Sequence, residues 1–281
     1  MIRRPDGSLD TVTATYTVLA SGGVGGLYRH STNFRHLTGD ALAIAGKHNI
    51  ELQNPDYVQI HPTTFYTKHP EDRSFLISES VRGEGARLYD KNMNRFVNEL
   101  LPRDLLSQKI HEQMAKDDTD FVWEDLRTIP AETLRHHFPN IVEHCREMGY
   151  DVFKECIPVV PAQHYFMGGV KVDYQSRSSM ENLYVVGEAA CNGVHGKNRL
   201  ASNSLLESLV FARRAAQDMA EHDLKNASPQ NAIEVADYLA SHVDFTPYQD
   251  IQALAETYHH LATQAITLGQ NPEGRKEFLY V

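Results

Sequence analysis

Cysteine is scarce in this chain. Cys145, Cys156 and Cys191 are the whole complement of 281 residues, and they form neither a CxxC pair nor a zinc-ligand spacing. They read as free thiols of a reducing compartment. Long apolar runs are also missing: no segment approaches the roughly 18 residues of a membrane helix. The opening Met1-Ile2-Arg3-Arg4-Pro5-Asp6-Gly7 lacks the apolar stretch of a signal peptide. Positive charge is in deficit, with 27 Lys and Arg against 37 Asp and Glu and a formal charge of −10. Neither a nucleic acid nor an anionic membrane is therefore expected as the main partner. No internal repeat or low-complexity tract occurs. The expectation is a soluble cytoplasmic protein with a conventional core, in which a local basic pocket for a small anion stays open.

Pro5-Asp6-Gly7-Ser8 reads as a turn, and the β-branched run Thr11 to Leu19 as a strand. Ala20-Ser21-Gly22-Gly23-Val24-Gly25-Gly26 follows it directly, and clustered glycines after a strand let a backbone come close to a ligand. Residues 40–48 predict a short helix of small apolar residues. Residues 56–163 are richer in Arg, Glu and His, with helices expected after Pro102-Arg103-Asp104 and over 131–149. Strand signals return from Val159, and Asn182 to Val186 ends in Gly187-Glu188. A last strong helix is expected near Ser204. Ser204 and Glu207 have capping-box spacing, and Leu205, Leu209, Ala212, Ala216 and Met219 mark an apolar face.

Four polar clusters stand out: His61-Pro62-Thr63, Arg82-Gly83-Glu84-Gly85-Ala86, Pro102-Arg103-Asp104, and the run from His195 to Glu207. Singly, each has an ordinary reading as a satisfied core histidine, a solvated helix start or a turn. Together they place imidazoles and guanidiniums among apolar neighbours, and buried Arg and His need partners. Such a cationic pocket suits a small dicarboxylate, because the guanidinium fork matches a carboxylate bidentately. A metal hydrolase has no ligand spacing behind it.

The order HPT, RGEGA, PRD, HYFMGGV, GE and HGKNRLASNSLLE, from Ala20 to Ala220, resembles the flavoprotein subunits of the succinate dehydrogenase and fumarate reductase superfamily. Within it the chain is similar to the L-aspartate oxidases, which Ala86 and Ala201-Ser202 favour. The resemblance implies FAD as cofactor. It implies oxidation of L-aspartate to iminoaspartate, the first step of NAD biosynthesis, with oxygen or fumarate as electron acceptor. A hand-off of product to quinolinate synthase belongs to the same implication. Carried over by position, His61, His164 and Arg199 hold substrate carboxylates. Ser78 and Glu79 stand at a Thr-Glu pair beside the substrate, Arg82 orients the amino acid, and Arg103 is the proton-transfer residue. Since guanidinium is effectively always protonated, Arg103 suits proton donation to fumarate better than proton removal from aspartate. Ala20, Ser21, Gly22, Gly23, Asp40, Glu188, Ser204 and Leu205 fall on the flavin side, with the helix at Ser204-Leu205 offering its positive end. No metal site is implied.

One departure is plain: the G-x-G-x-x-G turn that seats a dinucleotide pyrophosphate is absent. The expected fold class is α/β with an α+β cap. It comprises a partial FAD/NAD(P)-binding Rossmann-like domain over 1–55 and 166–225, an inserted capping domain over 56–165, and a short helical C-terminal segment over 226–281. The missing turn reads as that of a fragment. Two alternatives stay beside the oxidase: a soluble dicarboxylate flavoenzyme of the fumarate reductase or succinate dehydrogenase kind, and a flavin-free inactive remnant.

Overall fold

The structure is a computed structural model, and it describes residues 2–10, 12, 14–68, 73–226 and 246–269. In chain order its strands are β1 (Ile2–Arg3), β2 (Leu9–Asp10), β3 (Thr17–Leu19), β4 (Leu52–Gln53), β5 (Val58–Phe65), β6 (Arg87–Tyr89), β7 (Val122–Asp125), β8 (Ile157–Phe166), β9 (Gly169–Lys171), β10 (Leu183–Val185) and β11 (Ala190–Cys191). The α-helices are α1 (Asp40–Lys47), α2 (Glu79–Gly83), α3 (Arg103–Asp117), α4 (Ala131–His137), α5 (Pro139–Glu147), α6 (Asn203–Asn226) and α7 (Ile251–Gly269). This is a mixed α/β fold. No helix among the described residues is long and apolar enough to cross a membrane. All three cysteines are free and buried.

The chain forms two compact units. The first holds the described residues of Met1–Val24, Thr38–Tyr57 and Phe166–Gly274. Its hairpin β1–β2 closes on the predicted turn: Gly7 takes a φ of 87° that a side chain would resist, and Asp6 Oδ1 accepts the Ser8 N–H and hydroxyl. The strand expected over Thr11 to Leu19 shortens to β3, which pairs in parallel with β10; Thr11 and Thr13 lie outside the described residues. Helix α1 forms where the composition places it. Its small residues Ala41 and Ala45 pack with Ile50, Val170, Leu183, Val185 and Ala189 into this unit's core. The C-terminal helical segment is seen as α7, which packs on α1; residues 227–245 and 270–281 lie outside the described residues.

Two expectations about α6 are corrected. Glu207 does not close a capping box with Ser204; its carboxylate accepts from the Asn192 amide and the Ser208 hydroxyl instead. The expected apolar face is turned outward, with Leu205 75% and Leu209 73% exposed. Glu207, Phe211, Ala215 and Asp218 line the buried face. The two acids are tolerated inside because they are bonded: Asp218 takes the Arg177 guanidinium and the Tyr184 hydroxyl.

The second unit holds Gly25–Leu37 and the described residues of Val58–Tyr165. Its sheet runs in the order β5-β8-β7-β6, and α3 packs on β5. Ile77, Val81, Leu88, Leu106, Ile110, Leu126, Leu134 and Ile157 are among the residues that fill its core. Residues 25–37, read from sequence with the first segment, pack here because their backbone bonds to β8: Thr32 N–H donates to the Gln163 carbonyl and Gln163 N–H to that of His30. The helix expected over 131–149 is two helices. Pro139 disfavours the helical conformation at Phe138, which takes φ −128° and ψ 42°, and then serves as the first residue of α5.

Candidate functional site

In the second unit, β5 and β8 present His61 and His164 to each other, with ring centroids 5.3 Å apart. His61 is 1% exposed, and its Nδ1 lies 3.0 Å from the Thr63 carbonyl. Burial holds its pKa well below the usual imidazole range, reinforced by the neighbouring Arg82, His164 and Arg103 side chains. His164 is half-buried, and its Nδ1 lies 2.8 Å from the Thr32 hydroxyl.

Arg82, on α2, is buried. It donates to the Thr63 hydroxyl and to the Glu99 carbonyl, so it sits beside the strand residue that steadies His61. Ser78 caps α2 by accepting the Ser80 N–H at 3.3 Å. Glu79, the next residue, pairs with Arg103, which opens α3: Arg103 Nε donates to Glu79 Oε2 at 2.7 Å, and Arg103 Nη1 to Gln59 Oε1 at 3.1 Å. The Arg103 side chain is only 11% exposed, so its fork is held rather than free. Five of the residues expected here, His61, Glu79, Arg82, Arg103 and His164, are thus brought together as rings, guanidiniums and a carboxylate, while Ser78 stands beside them as the cap of α2.

Gln59 and Thr32 belong to none of the motifs, and Thr63 closes one of them, yet all three steady that cluster. Gln59 and His61 stand two apart on β5, which puts them on one face of the strand; that spacing was the available signal.

The first unit holds the remaining expected residues. β3 runs into exposed Ala20 and Ser21, then Gly22 at φ 80° and buried Gly23. A Cβ on Gly23 would stand 2.5 Å from Glu188 Oε1, so only glycine lets the turn and this carboxyl share the space. Glu188 also accepts the Phe166 N–H at 2.7 Å. Burial pushes its pKa up to about 7, against the pull of that hydrogen bond and of Arg199. The Gly39 N–H bonds to the Gly23 carbonyl, which seats α1 and its exposed first residue Asp40 at the turn. Helix α6 packs on the turn that carries Glu188, with half-buried Ser204 and exposed Leu205 in its first turn. Arg199 is buried, its N–H on the Met167 sulfur.

These residues suit a planar, partly apolar ring system whose edge gains negative charge. The first amides of a 24-residue helix are donors, Glu188 is an acceptor, and exposed leucines and a close glycine backbone admit a flat ring. The donor set fits the ring end of a flavin.

A family model described as FAD binding domain matches residues 2–205. The chain is 54% identical over 214 residues to the L-aspartate oxidase of Clostridium perfringens, covering 76% of this chain and 49% of that protein. It is 42% identical over 225 residues to the L-aspartate oxidase of Pseudomonas aeruginosa, covering 78% and 41%. Among solved structures, a quinol-fumarate reductase with menaquinol molecules superposes with a TM-score of 0.73 at 32% identity, covering 89% of this chain and 49% of that one. A variant of the E. coli quinol fumarate reductase gives 0.70 at 27%, covering 90% and 55%. The chain spans about half the length of the curated relatives it matches. The match covers well over half of the sequence, and the chain belongs to the FAD binding domain family.

Proposed function

We propose that the chain serves the FAD-dependent oxidation of L-aspartate to iminoaspartate. The observation that carries this reading is the linked set His61, His164, Arg82, Arg103 and Glu79 in a chain 54% identical to an L-aspartate oxidase. The first unit is read as the partial Rossmann-like flavin domain, and the second as the inserted cap.

Bound FAD supplies the two-electron acceptor for the hydride that leaves Cα. The α-ammonium gives up one proton as the C=N bond forms, and oxygen or fumarate takes the electrons onward. His61, His164 and Arg199 hold the two carboxylates. A neutral His61 whose Nδ1 accepts the Thr63 N–H at 3.3 Å donates from Nε2 to a carboxylate and adds no further cation beside Arg82 and Arg103. Arg82 orients the amino acid. Arg103, held by Glu79 and Gln59, stabilises the negative charge of the substrate while hydride departs; in the fumarate direction the same guanidinium is placed as a proton donor. Glu188 and the amides at Ser204 and Leu205 take the flavin ring edge. The imine product hydrolyses in water, so direct delivery to quinolinate synthase belongs to this reading.

The test is product formation. With FAD and L-aspartate in air, the chain should generate hydrogen peroxide and oxaloacetate, the hydrolysed imine, in equal amounts. Under argon, fumarate should replace oxygen and yield succinate. Oxidation of succinate in place of aspartate would favour a dicarboxylate dehydrogenase, the reading that the structural neighbours support.

A further inference from the structure

Glu124 lies on β7, opposite Leu88 of β6 and Ile157 of β8, in the middle of the second unit's sheet. It is 0% exposed, and neither carboxyl oxygen has a hydrogen-bond partner among the described residues. Leucine would fill such a position, and a bare buried carboxyl costs stability. Its counterpart is Arg82, 2% exposed, whose hydrogen bonds among the described residues go to neutral oxygens of Thr63 and Glu99. Glu99 does not spare its charge for Arg82. Its carboxylate takes the Leu88 N–H and the Arg95 guanidinium, with Arg87 at 3.7 Å. The guanidinium of Arg82 is therefore balanced through space, and Glu124 is the strongest of the carboxylates that act on it, ahead of Glu79 and Glu99. Three titratable groups act on or feel Glu124 from the surrounding elements: Arg82 on α2, Glu99 before α3, and the Cys145 thiol on α5.

We propose that Glu124 is a positioning residue for Arg82: its buried carboxylate is the counter-charge that keeps the guanidinium on Thr63 beside the His61–His164 pair. It thereby ties dicarboxylate affinity to the protonation of one group inside the core. This rests on the reading of Arg82 as substrate-orienting. Burial pushes the pKa of Glu124 up to about 7, against the pull of Arg82, so its charge changes in the neutral range.

The test begins with thermal unfolding of the full chain, free of flavin and substrate, at about pH 5.5 and 8, for the wild type, Arg82→Met, Glu124→Gln and the double variant. Arg82→Met should lower Tm more at the higher pH, where Glu124 is charged, and Glu124→Gln should abolish that difference. An Arg82→Met effect equal at both pH values, or equal in both backgrounds, would overturn the proposal. Should Arg82→Met fail to fold, the infrared carboxyl band lost in Glu124→Gln decides: titration in the neutral range supports the pair, and a group ionised or protonated throughout refutes it. In aspartate turnover, Glu124→Gln should raise KM about tenfold, leave kcat within about twofold and move the midpoint of the pH profile. Unchanged KM and pH profile would overturn the positioning role. A wild type that never oxidises aspartate would sink the functional reading instead, while the unfolding cycle still judges the pair.

Discussion

Arg103 owes its place to two partners from different elements, Glu79 at the start of α2 and Gln59 on β5. Arg103→Leu should abolish reduction of flavin by aspartate while flavin binding, followed by visible absorbance, persists; unchanged turnover would remove Arg103 from the reaction. Gln59→Leu should leave the protein folded but lower kcat/KM about tenfold or more, through a guanidinium left loose at one end. The PRD and HPT motifs made Arg103 and His61 legible in the sequence. Gln59 and Thr32 were not, because a neutral polar side chain gains meaning only when folding supplies its partner. Gly23→Ala should destabilise by about 1–3 kcal/mol, measured by denaturant unfolding, because its Cβ meets the Glu188 carboxyl. His30 belongs to the acid side of the stability curve. Burial first, then Arg29 and Arg35, lowers its pKa from 6.5 to about 4. The folded state thus prefers neutral His30, and the resulting stability is present above about pH 6.5 and lost as pH falls toward 4. His30→Gln should flatten that limb in unfolding experiments across pH; an unaltered limb would assign it to other groups.

Helix α6 shows how a pattern can mislead. Two stripes of helical period run along it, and the more apolar one, through Leu205 and Leu209, faces outward. The buried stripe contains Glu207 and Asp218, and acids hide a core face from any reading based on hydrophobicity alone. Their partners Asn192, Arg177 and Tyr184 come from distant sequence, so the satisfaction that permits burial is invisible locally. Phe211→Ala should cost about 3–5 kcal/mol. Leu209→Gln should change stability by no more than about 0.5 kcal/mol. Chemical denaturation of both variants checks the assignment, and the reverse order would restore the sequence-based face. Glu124 is the same lesson in a strand: flanked by Trp123 and Asp125, it reads as one more charge, and only sheet register puts it in the core. The break between α4 and α5 was legible in principle, since Pro139 restricts the residue before it, but the helical pattern on both sides masked it.

Across the molecule, the residues of interest divide between two compact units: those proposed for the flavin ring in one, with Arg199, and the histidine, arginine and glutamate cluster in the other. The mixed α/β class was implied by the resemblance that the order of motifs carries, and the main elements that bear these residues were legible in local pattern. The packing of residues 25–37 with the second unit did not, because it depends on bridges from Ser31 and Thr32 to Gln163, more than a hundred residues away. The visible spectrum of the purified chain with FAD under argon, before and after L-aspartate, reaches both sets of residues at once. Bound flavin whose long-wavelength band bleaches with L-aspartate and returns with fumarate is the predicted result. Absence of bound flavin, or a flavin band that L-aspartate leaves untouched, would contradict it.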